Sequence, residues 1–159
     1  PRETKSIDYF GPDPFRVYSR IAPLLQIIFQ ARGVHIYEED FRWDNSGDPM
    51  NFFFVFRLER RFDQFTTPIV KVRVFGFQPK DPAAPTGRMK IEILGTMRTK
   101  YPIEGWFGKA VLWPFLWIYH YLIYNQVRRR YILMTSTRIE RLMNEFRSIL
   151  GIMVKPRLK

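Results

Sequence analysis

A chain of 159 residues in which 46% are hydrophobic and 17% aromatic carries enough apolar side chain for one domain with a core, which excludes a disordered polymer. Its net charge of +11 is unevenly placed: residues 1–104 hold 16 Lys and Arg against 13 Asp and Glu, whereas residues 105–159 hold 10 against 2. The absence of cysteine excludes disulfides, thiolate metal sites and thiol nucleophiles.

Residues 1–13 are polar and contain Gly11 and Pro12, the composition of an extended N-terminal arm. They lack the apolar run of a secretory signal, so a cytoplasmic setting is expected. A helix is predicted over Phe15–Arg32, because Val17, Ile21, Leu24, Leu25 and Ile28 recur at helical spacing and Gly33 is a suitable stop. Pro23 disfavours helix at the residue before it and would move the regular start towards Ala22.

Four strands are predicted next. Val34–Trp43 alternates, with His35, Tyr37, Glu39, Phe41 and Trp43 on one face. Asn51–Glu59 is apolar on both faces. Ile69–Phe77 sets Val70, Val72 and Val74 against Lys71 and Arg73. Arg88–Arg98 sets Met89, Ile91 and Ile93 against Lys90 and Glu92. Period-two alternation of β-branched and aromatic residues is the strand signal. The connections between these runs are too short for crossover helices, which predicts an antiparallel meander.

The remainder reads as helix. Ala110–Tyr124 is apolar nearly all round, with Pro114 opening or kinking it. Tyr131–Leu150 is amphipathic, with Ile132, Ile139, Leu142, Met143, Phe146, Ile149 and Leu150 in one stripe. Thr137 and Glu140 have capping-box spacing, which leaves open a fresh helix start there or one continuing helix. The expected fold is therefore α+β: a four-stranded antiparallel meander covered by an N-terminal helix and long C-terminal helices, in a single domain over residues 14–151, followed by a basic tail over 152–159.

The segment Trp106–Tyr124 holds eight aromatic residues, lies largely within the uncharged stretch Ala110–Val127, and is followed by Arg128, Arg129 and Arg130. It has three readings. It is a core helix crossing the sheet, an interfacial helix whose Trp106, Trp113, Trp117 and Tyr121 meet lipid at headgroup level, or a membrane span interrupted by Lys109, Pro114 and His120. Arginine outnumbers lysine 18 to 8, and a guanidinium grips phosphate through two parallel hydrogen bonds. Arg128, Arg129, Arg130, Arg138 and Arg141 are thus candidate anion-binding residues, against the alternative of a solvated helix end. On the sheet, Lys71, Arg73, Phe75 and Lys90 interleave cations with an aromatic, a weak pattern for single-stranded nucleic acid. The acidic run around His35, Glu38, Glu39 and Asp40 has no third partner at metal-ligand spacing.

No phosphate-binding glycine loop, dinucleotide fingerprint, zinc-protease motif or nucleophile elbow occurs. No cofactor and no metal is expected. The leading expectation is a non-catalytic basic protein on the inner face of the cytoplasmic membrane, with anionic lipid or a membrane protein complex as partner. The alternative is an RNA-binding or ribosome-associated protein. A further alternative is a small enzyme or carrier of apolar ligands, with a pocket near Tyr37, Phe41, Trp43 and the aromatic helix.

Overall fold

The computed structural model describes residues 2–63, 65–81, 83–100, 114–115 and 117–152. The strands Arg2–Phe10 (β1), Ile36–Asp44 (β2), Met50–Glu59 (β3), Thr66–Gln78 (β4) and Arg88–Thr99 (β5) form one sheet in the order β1-β5-β4-β3-β2. Every neighbouring pair is antiparallel. The four expected strands are present as a meander. The fifth, β1, comes from the segment expected to be an arm, and it pairs with β5 from Arg2↔Thr96 to Phe10↔Arg88.

Among the described residues, helices cover one face of the sheet and not the other. Phe52, Phe54, Phe56 and Leu58 on β3, Val70, Val72 and Val74 on β4, and Met89, Ile91 and Ile93 on β5 point to the covered face and are buried. Burying each such side chain contributes roughly 1.5–3 kcal/mol before conformational entropy is subtracted. A register shift between Glu38 and Asp40 on β2 inserts an extra residue and reverses the parity of the strand. Phe41 and Trp43 therefore join the core side, while Tyr37 points outward, so the uniform alternation expected along this strand is corrected.

The cover consists of a 3-10 turn, Pro14–Val17, leading into the helix Tyr18–Phe29 (α1), and of the helix Asn125–Leu150 (α2). α1 begins earlier than Pro23 suggests. The proline lies inside the helix on its exposed side, where water can take the carbonyl left without a partner. It also ends before Gly33. Gln30 adopts a left-handed conformation (φ 52°), and Arg60 Nη1 donates to the Phe29 and Gln30 carbonyls, both at 2.7 Å.

α2 lies across β5 and β1, burying Ile139, Leu142, Met143, Phe146 and Leu150. Gly95 on β5 makes room for it: a Cβ there would stand 2.6 Å from Ile139 Cδ1. The helix does not restart at Thr137. It runs unbroken to Leu150, and Glu140 accepts from Lys5 on β1 at 3.1 Å instead of closing a cap. Gly151 ends it with φ 71°, its N–H reaching back to the last turn. Upstream, α2 continues a π-helical turn, His120–Tyr124, and residues 114–115 and 117–119 are also helical. No helix among the described residues is long and apolar enough to cross a membrane.

Candidate functional site

The site is the root of the aromatic helix, where it meets the β3–β4 turn. Asp63 organises that turn by accepting the backbone N–H groups of Phe65 and Thr66 at 2.8 and 2.7 Å, an Asx-type arrangement. Its carboxylate also accepts from the Tyr124 hydroxyl at 3.1 and 3.2 Å, while the Thr66 hydroxyl meets the same phenol oxygen. Tyr124 is buried, and Phe65 sets its ring edge against it at 5.6 Å. Burial pushes the phenol up to about 12; the hydrogen bond with Thr66 opposes the rise and the Asp63 carboxylate adds to it.

Two turns further on, Tyr131 packs against Phe62 at 5.1 Å. Arg138 lies over the other side of this contact, 5.9 Å from the Phe62 ring, and donates to the Phe29 carbonyl at 3.4 Å. Burial lowers the affinity of Arg138 for its proton, and neighbouring Arg60 lowers it further. The helix root is thus pinned by one polar knot, one aromatic pair and two guanidiniums at the carboxyl end of α1.

Just upstream, Tyr119 stacks on Tyr124 at 6.4 Å, while the other described side chains of this stretch face solvent. Phe115, Trp117, Ile118, Tyr119, Tyr121 and Leu122 are all exposed, Trp117 by 57% and Tyr121 by 66%. Trp117 and Tyr121 stack on each other, 5.4 Å apart and 8° from parallel. At about 100° per residue, positions 117, 118, 119, 121 and 122 spread over an arc of roughly 200°, about twice the stripe that a helix ordinarily turns to one core. Trp106 and Trp113 lie outside the described residues.

The candidate arginines do not form one cluster. Arg128 is half-buried, with its Nε enclosed and without a partner among the described residues. Arg129 and Arg130 are exposed on successive flanks, and Arg141 is exposed three turns further on. Arg138 is held inside the root. No carboxylate among the described residues pairs with any of the five.

On the outer sheet face, Lys71, Arg73, Phe75 and Lys90 do come together, but each cation is paired, the three sharing two carboxylates. Lys71 pairs with Glu39 at 2.7 Å, Arg73 with Glu92 at 3.5 Å and Lys90 with Glu92 at 3.2 Å. Arg57 bridges Glu39 and Glu59. Burial pushes the Glu39 carboxyl up, but Lys71 and Arg57 outweigh it and hold the group below its ordinary value. The acidic run of β2 is likewise engaged: Glu38 accepts from Tyr18, and Asp40 pairs with Arg42. No group of three metal-ligating side chains occurs among the described residues.

Among the described residues, Tyr37, Phe41 and Trp43 do not share a pocket with the aromatic helix. Trp43 is in register with Phe52, at the end of the sheet remote from Thr66, and Tyr37 is on the opposite face. A groove of about 600 Å³ instead runs between α1 and α2, lined by Arg16, Ser19, Arg20, Leu24, Glu145 and Ile149. A scan against protein-family models finds no match, and neither does a search of curated proteins. Function is therefore read from geometry and chemistry alone.

Proposed function

We propose that the protein is a non-catalytic component of an anionic membrane surface, held there by the aromatic helix that leaves the domain at Tyr124. The exposure of Trp117, Ile118, Tyr121 and Leu122 on a helix continuous with Arg128, Arg129 and Arg130 carries this reading. An exposed apolar arc this wide is stable when it meets an apolar medium. The helical residues 117–123, beyond Tyr124, extend about 10 Å at 1.5 Å per residue, within one leaflet of a hydrocarbon core about 30 Å thick. Tyrosine and tryptophan favour the headgroup level, and arginines beside the apolar stretch meet lipid phosphate.

RNA binding is the second reading. Arg129, Arg130 and Arg141, exposed and without carboxylate partners among the described residues, favour it, but it leaves the apolar helix without a role. Fractionation of native lysate separates the two. Retention in the membrane pellet after nuclease and high salt is expected, with release by carbonate marking a peripheral attachment. Release by nuclease, or sedimentation with ribosomes, would replace the membrane reading with the RNA one.

A further inference from the structure

The two ends of the sheet differ in charge, and the difference lines up with the helix. Thr66 pairs with Thr99, and Lys100 N–H donates to the Phe65 carbonyl at 2.8 Å, so Lys100 sits beside the β3–β4 turn. That turn carries Arg60 and Arg61 against one carboxylate, Asp63, which is engaged by Tyr124 and by the N–H groups of Phe65 and Thr66. Arg60 reaches the carboxyl end of α1, which brings Arg32 to the same end. The Tyr124 knot places Arg129 and Arg130 there too. None of these six cations has a carboxylate partner among the described residues, and all but Arg60 are exposed. The opposite end is joined by Gly11 N–H to Gly87 O and by Lys80 N–H to Asp48. There Asp13, Asp44, Asp48 and Asp81 offset Arg16, Lys80 and Arg88.

From this polarity we infer that the blunt end of the sheet, not the helix alone, is a docking surface for an anionic bilayer. The β3–β4 turn, Arg32 and Lys100 rest on the headgroups around the point where the helix enters, and the strands stand upright on the membrane. The inference builds on the membrane reading above. The occupant is fixed by charge complementarity and by continuity with the apolar helix: the cations surround its root, and their attraction acts within a Debye length of about 8–10 Å. The far, acid-balanced end is then held away from the lipid.

The test uses the full chain and flotation with phosphatidylcholine vesicles, with and without phosphatidylglycerol. Arg32→Gln, Arg61→Gln and Lys100→Gln together change only exposed side chains. At about 1 kcal/mol for each cation near the surface, the triple variant should lose roughly a hundredfold in partitioning to anionic vesicles. Its binding to pure phosphatidylcholine should stay unchanged. Lys80→Gln with Arg88→Gln, at the far end, should leave both unchanged. A triple variant that binds anionic vesicles like the native chain overturns the docking end but leaves the helix reading intact, provided Trp117→Ala still weakens attachment. Equal losses from both sets of substitutions would mean net charge alone acts, which also overturns it. A native chain that binds neither vesicle removes both inferences. The chain has no cysteine, so spin labels at Thr67→Cys and Ser46→Cys provide a second readout. The first should lie close to the lipid and the second far from it; equal depths would reject the upright orientation.

Discussion

At the scale of single residues, Tyr124 matters most, because its hydroxyl ties an apolar helix to a polar turn. Tyr124→Phe keeps the ring against Phe65 and removes the hydroxyl from Asp63 and Thr66. The expected cost is about 1–2 kcal/mol, read as a lower urea midpoint. Asp63→Ala should cost more, because the backbone N–H groups of Phe65 and Thr66 lose their acceptor as well. The raised phenol has a definite sign. A group whose affinity for its proton is higher when folded stabilises the fold fully below its ordinary value of 10.0 and loses that contribution as pH rises towards about 12. Stability should therefore fall over this alkaline window in the native chain and fall less in Tyr124→Phe, as denaturation curves across the range would show. No sequence pattern announced this knot, since its partners lie 61 residues apart. The only local trace is an aspartate placed shortly before a threonine in a turn.

At the scale of elements, the aromatic helix and α2 are one rod with two environments. Phe146 is fully buried against the sheet, so Phe146→Ala should lower stability by about 3–5 kcal/mol. Trp117→Ala and Tyr121→Ala should leave the urea midpoint within about 0.5 kcal/mol of native, as exposed positions do, while reducing vesicle binding. Loss of the fold on either of these two substitutions would instead return the helix to a core. The same contrast explains what the sequence could reveal. Hydropathy marks Ala110–Tyr124 as apolar all round, yet burial in a core and insertion in lipid demand the same composition. The exposure of Trp117 and Tyr121 is the observation on which the proposal of the second rests. β1 was hidden for a related reason. Its inward positions Glu3 and Lys5 face Ser136 and Glu140 on α2 rather than apolar residues, so the alternation that revealed the other strands is missing over half its length. The bulge on β2 was equally silent, because Glu38, Glu39 and Asp40 are all acidic and hide the change of face. The outward Glu39 is held in its charged form by Lys71 and Arg57. That support is present above its ordinary value of 4.5 and is lost as pH falls through the lower folded one. Glu39→Gln should blunt this acid limb, at a cost of about 1 kcal/mol or less near neutral pH.

Across the whole molecule, composition correctly located the excess of positive charge in the last third of the chain but missed its geometry. Arg32, Arg60, Arg61 and Lys100 come from three separate stretches of sequence, and only the pairing of β4 with β5 and the capping of α1 bring them beside Arg129 and Arg130. Attachment to anionic vesicles should accordingly weaken as salt rises, while the part due to the apolar helix persists; titration of binding against ionic strength would separate the two. The sheet order has a separate outcome for how the chain is made. β1 is made before its partner β5, which begins more than eighty residues after β1 begins, with Arg2 opposite Thr96. At roughly 5–20 residues per second, the first strand waits on the order of 5–20 s for its place in the sheet. Its inner half offers Glu3 and Lys5 rather than apolar side chains, which keeps an early, unpaired strand from seeking the wrong edge. The polarity that conceals β1 in the sequence would thus also disfavour mispairing of the waiting strand.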